Sequence, residues 1–211
     1  MLLININVTI LVSYLKKVTS LKARDKILKT AQELFYAQGI KKVSVNEIFE
    51  TAGVSKMTFY RQFSNKEDLV LTIIRNLFNT SMLEYNTIVE QSTSFRETLL
   101  RLTEMKIEYS KSMSKIFLEE FLQMFNGKVE VMKELQDMQH EGRSLFVQEI
   151  MKARASGEIR QDLSIELMLA MLDHMQAFIE DPKNIALFES SEDVTRGIIN
   201  FYFFGIYGPQ E

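Results

Sequence analysis

The residues with the most chemistry to offer lie between Ser55 and Gln62. The run Ser55-Lys56-Met57-Thr58-Phe59-Tyr60-Arg61-Gln62 mixes cations, hydroxyls, an amide and a thioether within two helical turns. Lysine reaches phosphate or guanine, Thr58 and Gln62 can hydrogen-bond base edges, and the Met57 thioether can lie against a thymine methyl. On the exposed face of a short helix, such a mixture suits the edge of a DNA groove. Catalytic chemistry finds far less. There is no Cys, and the two His, His140 and His174, stand alone. Disulfides, thiolate metal sites and cysteine nucleophiles are thereby excluded, and two lone His speak against a multi-histidine metal centre. No phosphate loop, nucleophile elbow or paired catalytic carboxylates occur either. The expectation is a protein that is no enzyme and carries no cofactor and no metal.

Holding those side chains on one face requires short, well-capped helices. From Lys22 the apolar spacing is helical, with Ile27, Leu28, Ala31, Leu34 and Phe35 on one stripe. Gly39 supplies the left-handed residue that stops this helix. Ser44-Val-Asn-Glu47 reads as a capping box opening a short helix through Ile48, Phe49 and Ala52, stopped by Gly53. Ser55 caps the next helix, Lys56 to Gln62. A second box, Ser64-Asn-Lys-Glu67, starts a longer helix through Leu69, Leu71, Ile74 and Phe78. Two short helices meeting at Ala52-Gly53-Val54 form a helix-turn-helix pattern, with glycine where the chain needs positive φ. By itself that pattern fits a simple αα corner equally well.

The charge is divided along the chain. Residues 1–68 hold 11 Lys and Arg against 6 Asp and Glu, while the remaining 143 hold 14 against 22. A basic front suits a polyanion and the acidic rear suits something else, although a solvated lysine face is the commoner source of such an excess. Gly and Pro total only 10 of 211 residues, too few for a sandwich or barrel with frequent turns. Beyond about Asn79 the helices lengthen, with a capping box at Ser94-Phe-Arg-Glu97 and helical stretches near 113–126, 128–156, 164–180 and 191–207. The fold class is therefore all-α, about nine helices, with a three-helix front and a larger helical rear.

The run from Ile27 to Leu69 resembles the DNA-binding domain of the TetR family of bacterial transcriptional regulators. The matching elements are the first helix ending in Gly39, the Ser44 cap, Ala52-Gly53-Val54-Ser55, Thr58-Phe59-Tyr60, Phe63 and Asn65-Lys66-Glu67-Asp68-Leu69. The resemblance implies phosphate contacts from Ser44, Ser55, Tyr60 and Lys66, and base contacts from Asn46, Lys56, Met57, Thr58 and Gln62. Met57 stands where the family often has Gly, and Phe49 where a small residue is commoner. Core packing is the plain alternative for Phe63 and, less so, for Tyr60.

The same resemblance divides the chain into an arm at 1–21, a helix-turn-helix domain at 22–68, and an effector-binding and dimerisation domain at 69–211. Nine of the twelve Met lie between residues 100 and 180. Such a stripe is most simply core, but the family's ligand cavity would be lined by Met105, Phe121, Met124, Phe125, Met138, Met171 and Met175. His174 would offer one polar contact, or is simply a satisfied core or surface histidine. The segment Ile165 to Ile179 and the segment Ile198 to Tyr207 are apolar almost all round, as expected of helices covered on both sides. Leu169, Leu172, Ile198, Phe201, Tyr202 and Gly205 are the expected dimer contacts. A homodimer would place two recognition helices ~34–36 Å apart, on a palindromic operator.

Residues 1–15 alternate like a short strand and fall short of the ~20 apolar residues of a membrane span. They read as a mobile arm or an upstream start, and the chain as cytoplasmic with no membrane partner. The expected function is a homodimeric, sequence-specific repressor released from double-stranded operator DNA by a small-molecule effector. The alternative is a ligand-independent, DNA-bound adaptor or architectural protein that recruits a protein partner.

Overall fold

In the computed structural model, the described residues are 8–180, 184, 193, 197, 198, 200 and 201. They are helical throughout, with eight helices connected by short turns. The chain divides into two compact units. The first comprises residues 1–79 with 113–127, and the second 80–112 with 128–211.

The first unit begins with α1 (Val8–Gln38), followed by α2 (Val45–Thr51), α3 (Lys56–Gln62), the start of α4 (Lys66–Gln91) and α6 (Lys115–Phe125). Ile27, Leu28, Ala31 and Phe35 are buried as their spacing demands, and they meet Ile40, Val43, Ile48, Phe59, Phe63, Leu69 and Val70. Residues 8–21 correct the strand-like expectation, because they are helical and continuous with the rest of α1. Once a helix is nucleated, each added residue gains a hydrogen bond at little further cost, and no Gly or Pro interrupts this stretch. That advantage outweighs the weak β preference of alternating Ile and Val.

Two further departures concern boundaries. The α4 cap is Asn65, whose Oδ1 accepts from Asp68 N–H at 2.9 Å. Ser64 instead donates its N–H and hydroxyl to the Asp68 carboxylate, at 2.8 and 3.1 Å. The expected box is therefore shifted by one residue. Residues 113–127 also join the first unit, not the rear. α6 presents Phe117, Phe121 and Phe125 at i, i+4 and i+8, all buried. Tyr36 of α1 meets the Phe117 ring edge-on at 4.8 Å, and the Phe117–Phe121–Phe125 rings continue the contact.

The second unit contains the rest of α4, α5 (Phe95–Ser112), α7 (Val129–Ala155) and α8 (Ile165–Glu180). One core cluster joins Phe95 and Leu99 to Ile150, Ala153, Ile159 and Met168; a second joins Tyr85, Ile88 and Leu102. α5 is capped by Ser94, whose Oγ accepts from Glu97 N–H at 3.2 Å. The reciprocal contact reaches Thr93, whose N–H and hydroxyl both donate to Glu97 at 2.8 Å and hold that carboxyl below its ordinary pKa. α7 ends at Gly157, φ 84°, and Ser164 caps α8 through Leu167 N–H at 3.1 Å. Arg143 of α7 pairs bidentately with Asp173 of α8. No helix among the described residues is long and apolar enough to cross a membrane. The expected ninth helix, 191–207, lies largely outside the described residues.

Gly39 is the tightest point of the first unit. Its φ is +85°, and a Cβ there would stand 2.6 Å from Ile116 Cγ2 and 2.8 Å from a Glu120 carboxylate oxygen. Gly39→Ala combines left-handed strain with a steric clash, so we expect a loss of about 1–3 kcal/mol. Urea unfolding should show this as a lower midpoint with an unchanged slope.

Candidate nucleic-acid interface

The interface is built from two caps and one turn. Ser44 Oγ accepts from Glu47 N–H at 3.1 Å, and the Glu47 carboxylate reaches back to Ser44 N–H at 3.4 Å. This closes the expected box and starts α2. Gly53, φ +64°, lets Ala52–Ser55 reverse direction, and Val54 N–H returns to the Phe49 carbonyl at 2.9 Å. Phe49, in α2, is half-buried. Ser55 Oγ then accepts from Thr58 N–H at 3.1 Å and caps α3. Phe59 and Phe63 are buried, their rings 5.9 Å apart, which anchors one side of α3 in the core.

The opposite side of α3 faces outward. Met57 is 76% exposed and Tyr60 50%, with Lys56 and Arg61 also exposed. Ser44, Asn46 and Ser55 are exposed beside them, while Thr58 and Gln62 are half-buried. Thr58 shares its hydroxyl with Ser55 at 2.9 Å, so its side chain is held in place. Phe63 is core, as its plain reading held; Arg24 lies over its ring at 5.2 Å, a cation–π contact.

Lys66 behaves differently from a free phosphate contact. Its ammonium donates to the carbonyls of Ile40 at 2.8 Å and Val43 at 2.9 Å. Burial lowers its pKa, and the nearby Glu120 carboxylate opposes that shift. Glu120 also accepts from Lys41 N–H at 2.7 Å, while Lys41 Nζ donates to Gln123 at 2.7 Å. Residues 40–43 are thus gripped from two sides. These contacts join residues 23 to 82 positions apart, and no local spacing announces them.

Comparison with known proteins agrees with this geometry. Residues 27–73 match the family described as bacterial regulatory proteins, tetR family. The repressor KstR2 of Mycolicibacterium smegmatis is 25% identical over 148 residues, 69% of this chain and 71% of that protein. The regulator TcmR of Streptomyces glaucescens is 33% identical over 94 residues, 41% of this chain and 42% of that one. Among solved structures, a TetR-family regulator from Agrobacterium tumefaciens aligns with a TM-score of 0.70 at 13% identity, covering 90% of this chain and 100% of that one. A transcriptional regulator from Saccharomonospora viridis in complex with choline aligns at 0.69 and 19% identity, covering 89% and 98%. At such identities the likeness is one of fold. Residues 27–73 carry the tetR-family domain, and the rest of the chain is similar to such regulators in fold.

The expected cavity residues fall partly in each unit. Phe121 and Phe125 are buried in the first unit's aromatic row, and Met124 of that unit is half-buried. In the second unit, Met105, Met138 and Met175 are half-buried, whereas Met171 and His174 are exposed. His174 Nδ1 lies 2.9 Å from the Ala170 carbonyl, one turn back. α8 does have two unlike sides: Met168 is buried and Leu169, Leu172 and Met175 pack on the same cluster. Leu167 is 50% exposed, and Met171 and Phe178 are exposed with it. Ile198 is half-buried and Phe201 exposed, while Tyr202 and Gly205 lie outside the described residues. No group of three or more His, Asp or Glu is placed to hold a metal among the described residues.

Replacing Lys66 by Met removes both carbonyl contacts while keeping an apolar stem. We expect a stability loss of about 1–3 kcal/mol, read by urea unfolding. The wild-type midpoint in that variant would show that the two bonds contribute nothing net.

Proposed function

We propose that this protein is a homodimeric, sequence-specific repressor, released from a palindromic operator by a small molecule bound in its rear domain. The single observation that carries the DNA half is the outward face of α3. Lys56, Met57 and Tyr60 project from a helix whose other side is fixed by Phe59 and Phe63 and whose first turn is capped by Ser55. A helix so held can enter the major groove without reorganising. Asn46, Lys56, Met57, Thr58 and Gln62 then read base edges, and Ser44, Ser55 and Tyr60 fix the phosphates. Lys66 acts at the same border chiefly by tying residues 40–43 to the start of α4, whose first-turn amides also face a phosphate favourably.

Dimerisation is supported by the exposed apolar side of α8, where Leu167, Met171 and Phe178 share a face. An arrangement of two such chains places the recognition helices one duplex turn apart, ~34–36 Å. Small-molecule release is supported by the solved choline complex of a protein of the same fold. Release needs the effector to favour the DNA-incompetent state, commonly by about 1–3 kcal/mol of coupling.

The test is selection from random and genomic duplexes at about physiological salt, followed by variants on the selected site. A palindrome with two half-sites is the expected product. Lys56→Ala should weaken binding by about 1–3 kcal/mol and relax one half-site position. Tyr60→Phe should weaken all sequences alike. Salt-sensitive binding with no enriched sequence would overturn base readout and put the architectural reading in its place.

A further inference from the structure

The seven residues of α3 are not equivalent toward a groove. Phe59, the fully buried anchor of the helix, defines its inner direction. At ~100° per residue, Met57 and Arg61 each fall within about 20° of the opposite direction. Both are exposed, Met57 at 76%. Lys56 and Tyr60 stand on one flank of this pair. Thr58 and Gln62 stand on the other, where both are half-buried, and the Thr58 hydroxyl lies against that of Ser55 at 2.9 Å. A helix held to its unit through Phe59 enters a groove with the opposite side leading. Met57 and Arg61 are therefore the side chains that reach deepest.

Their chemistry differs from that of the flanks. An exposed thioether chain offers apolar contact and almost nothing else. In the major groove the apolar feature of a base edge is the thymine methyl. The Arg61 guanidinium is a planar fork of donors that matches the O6 and N7 acceptors of guanine. The plain alternative for Arg61 is a solvated cation in the last turn of α3, near the negative end of the helix. That role carries no base preference, which makes the two readings separable. Four residues of helix rise ~6 Å, against ~3.4 Å between stacked base pairs, so the two side chains meet bases about two steps apart.

We propose that Met57 and Arg61 are the specificity-determining pair of α3. Met57 covers a thymine methyl, and Arg61 donates to O6 and N7 of a guanine within about two base pairs of it in each half-site. The proposal deepens the DNA reading above and rests on it. It adds Arg61 to the base readers and gives the choice of thymine an apolar basis, so that a single methyl group on the DNA is felt by the protein.

The experiment measures binding of the full chain to the selected operator and to duplexes altered by one group at each thymine and guanine of the half-site in turn. Deoxyuridine for thymidine removes only the methyl, and 7-deazaguanine for guanine removes only the N7 acceptor. At one position of each kind the wild type should bind roughly 3- to 5-fold less tightly. Met57→Ala should lose the uracil penalty and keep the 7-deazaguanine one, and Arg61→Ala should do the converse. Each variant thus cancels one penalty only, a pattern that a general loss of folding does not produce. A penalty that persists in its own variant, or is absent from the wild type, overturns the role of that residue. Arg61→Ala weakening every duplex alike, with the salt slope reduced by about one, would make Arg61 a phosphate contact and overturn its half of the pair. A palindrome bound without either penalty overturns the pair and leaves the DNA reading standing. Selection that enriches no sequence overturns the DNA reading and the pair with it.

Discussion

The first unit depends on how the chain crosses from Gln38 to Ser44. Ile40 and Val43 are both fully buried, so their carbonyls need partners inside the protein. The Lys66 ammonium meets both, which anchors the first turn of α4 to the end of α1. From the other side, Glu120 accepts the Lys41 amide and α6 closes to a distance that only a glycine at 39 permits. The same six residues deliver the chain to Ser44, where α2 begins. A shift in this crossing would move α2, and through the Gly53 turn it would move α3. The exposed helix α3 is therefore positioned by contacts made elsewhere in its unit.

This arrangement explains which parts of the fold could be read from the sequence. Ser44, Ser55 and Ser94 act within four residues of themselves, and Gly39, Gly53, Gly127 and Gly157 all adopt positive φ at helix ends. Such signals are local, so α2 and α3 were legible almost to the residue. The buried stripe of α1 was legible because 3.6-residue periodicity records one-sided burial. Residues 8–21 were not, because alternation of Ile, Val and Thr is a weak local preference that a growing helix overrides. The Ser64 box failed by one residue because Asp68 competes with Glu67 for the cap.

The candidate site divides in the same way. Exposure of Lys56, Met57 and Tyr60 followed from the burial of Phe59 and Phe63, a simple consequence of helix geometry. The engagement of Lys66 with Ile40 and Val43, and of Lys41 with Glu120 and Gln123, did not. A lysine offers the same appearance in sequence whether it meets phosphate or a buried carbonyl. The row of Phe117, Phe121 and Phe125 is ambiguous for a related reason: aromatic residues at i, i+4 record that a face is covered, not by what.

The second unit shows the limit of arguing from summed charge. An excess of 22 acidic over 14 basic residues beyond position 68 suggests an environment hostile to anions. Surface carboxylates in water, however, are weakened by the solvent dielectric and by salt within about 10 Å. A surplus of charge counted over a whole unit therefore says little about the field at any one position inside it.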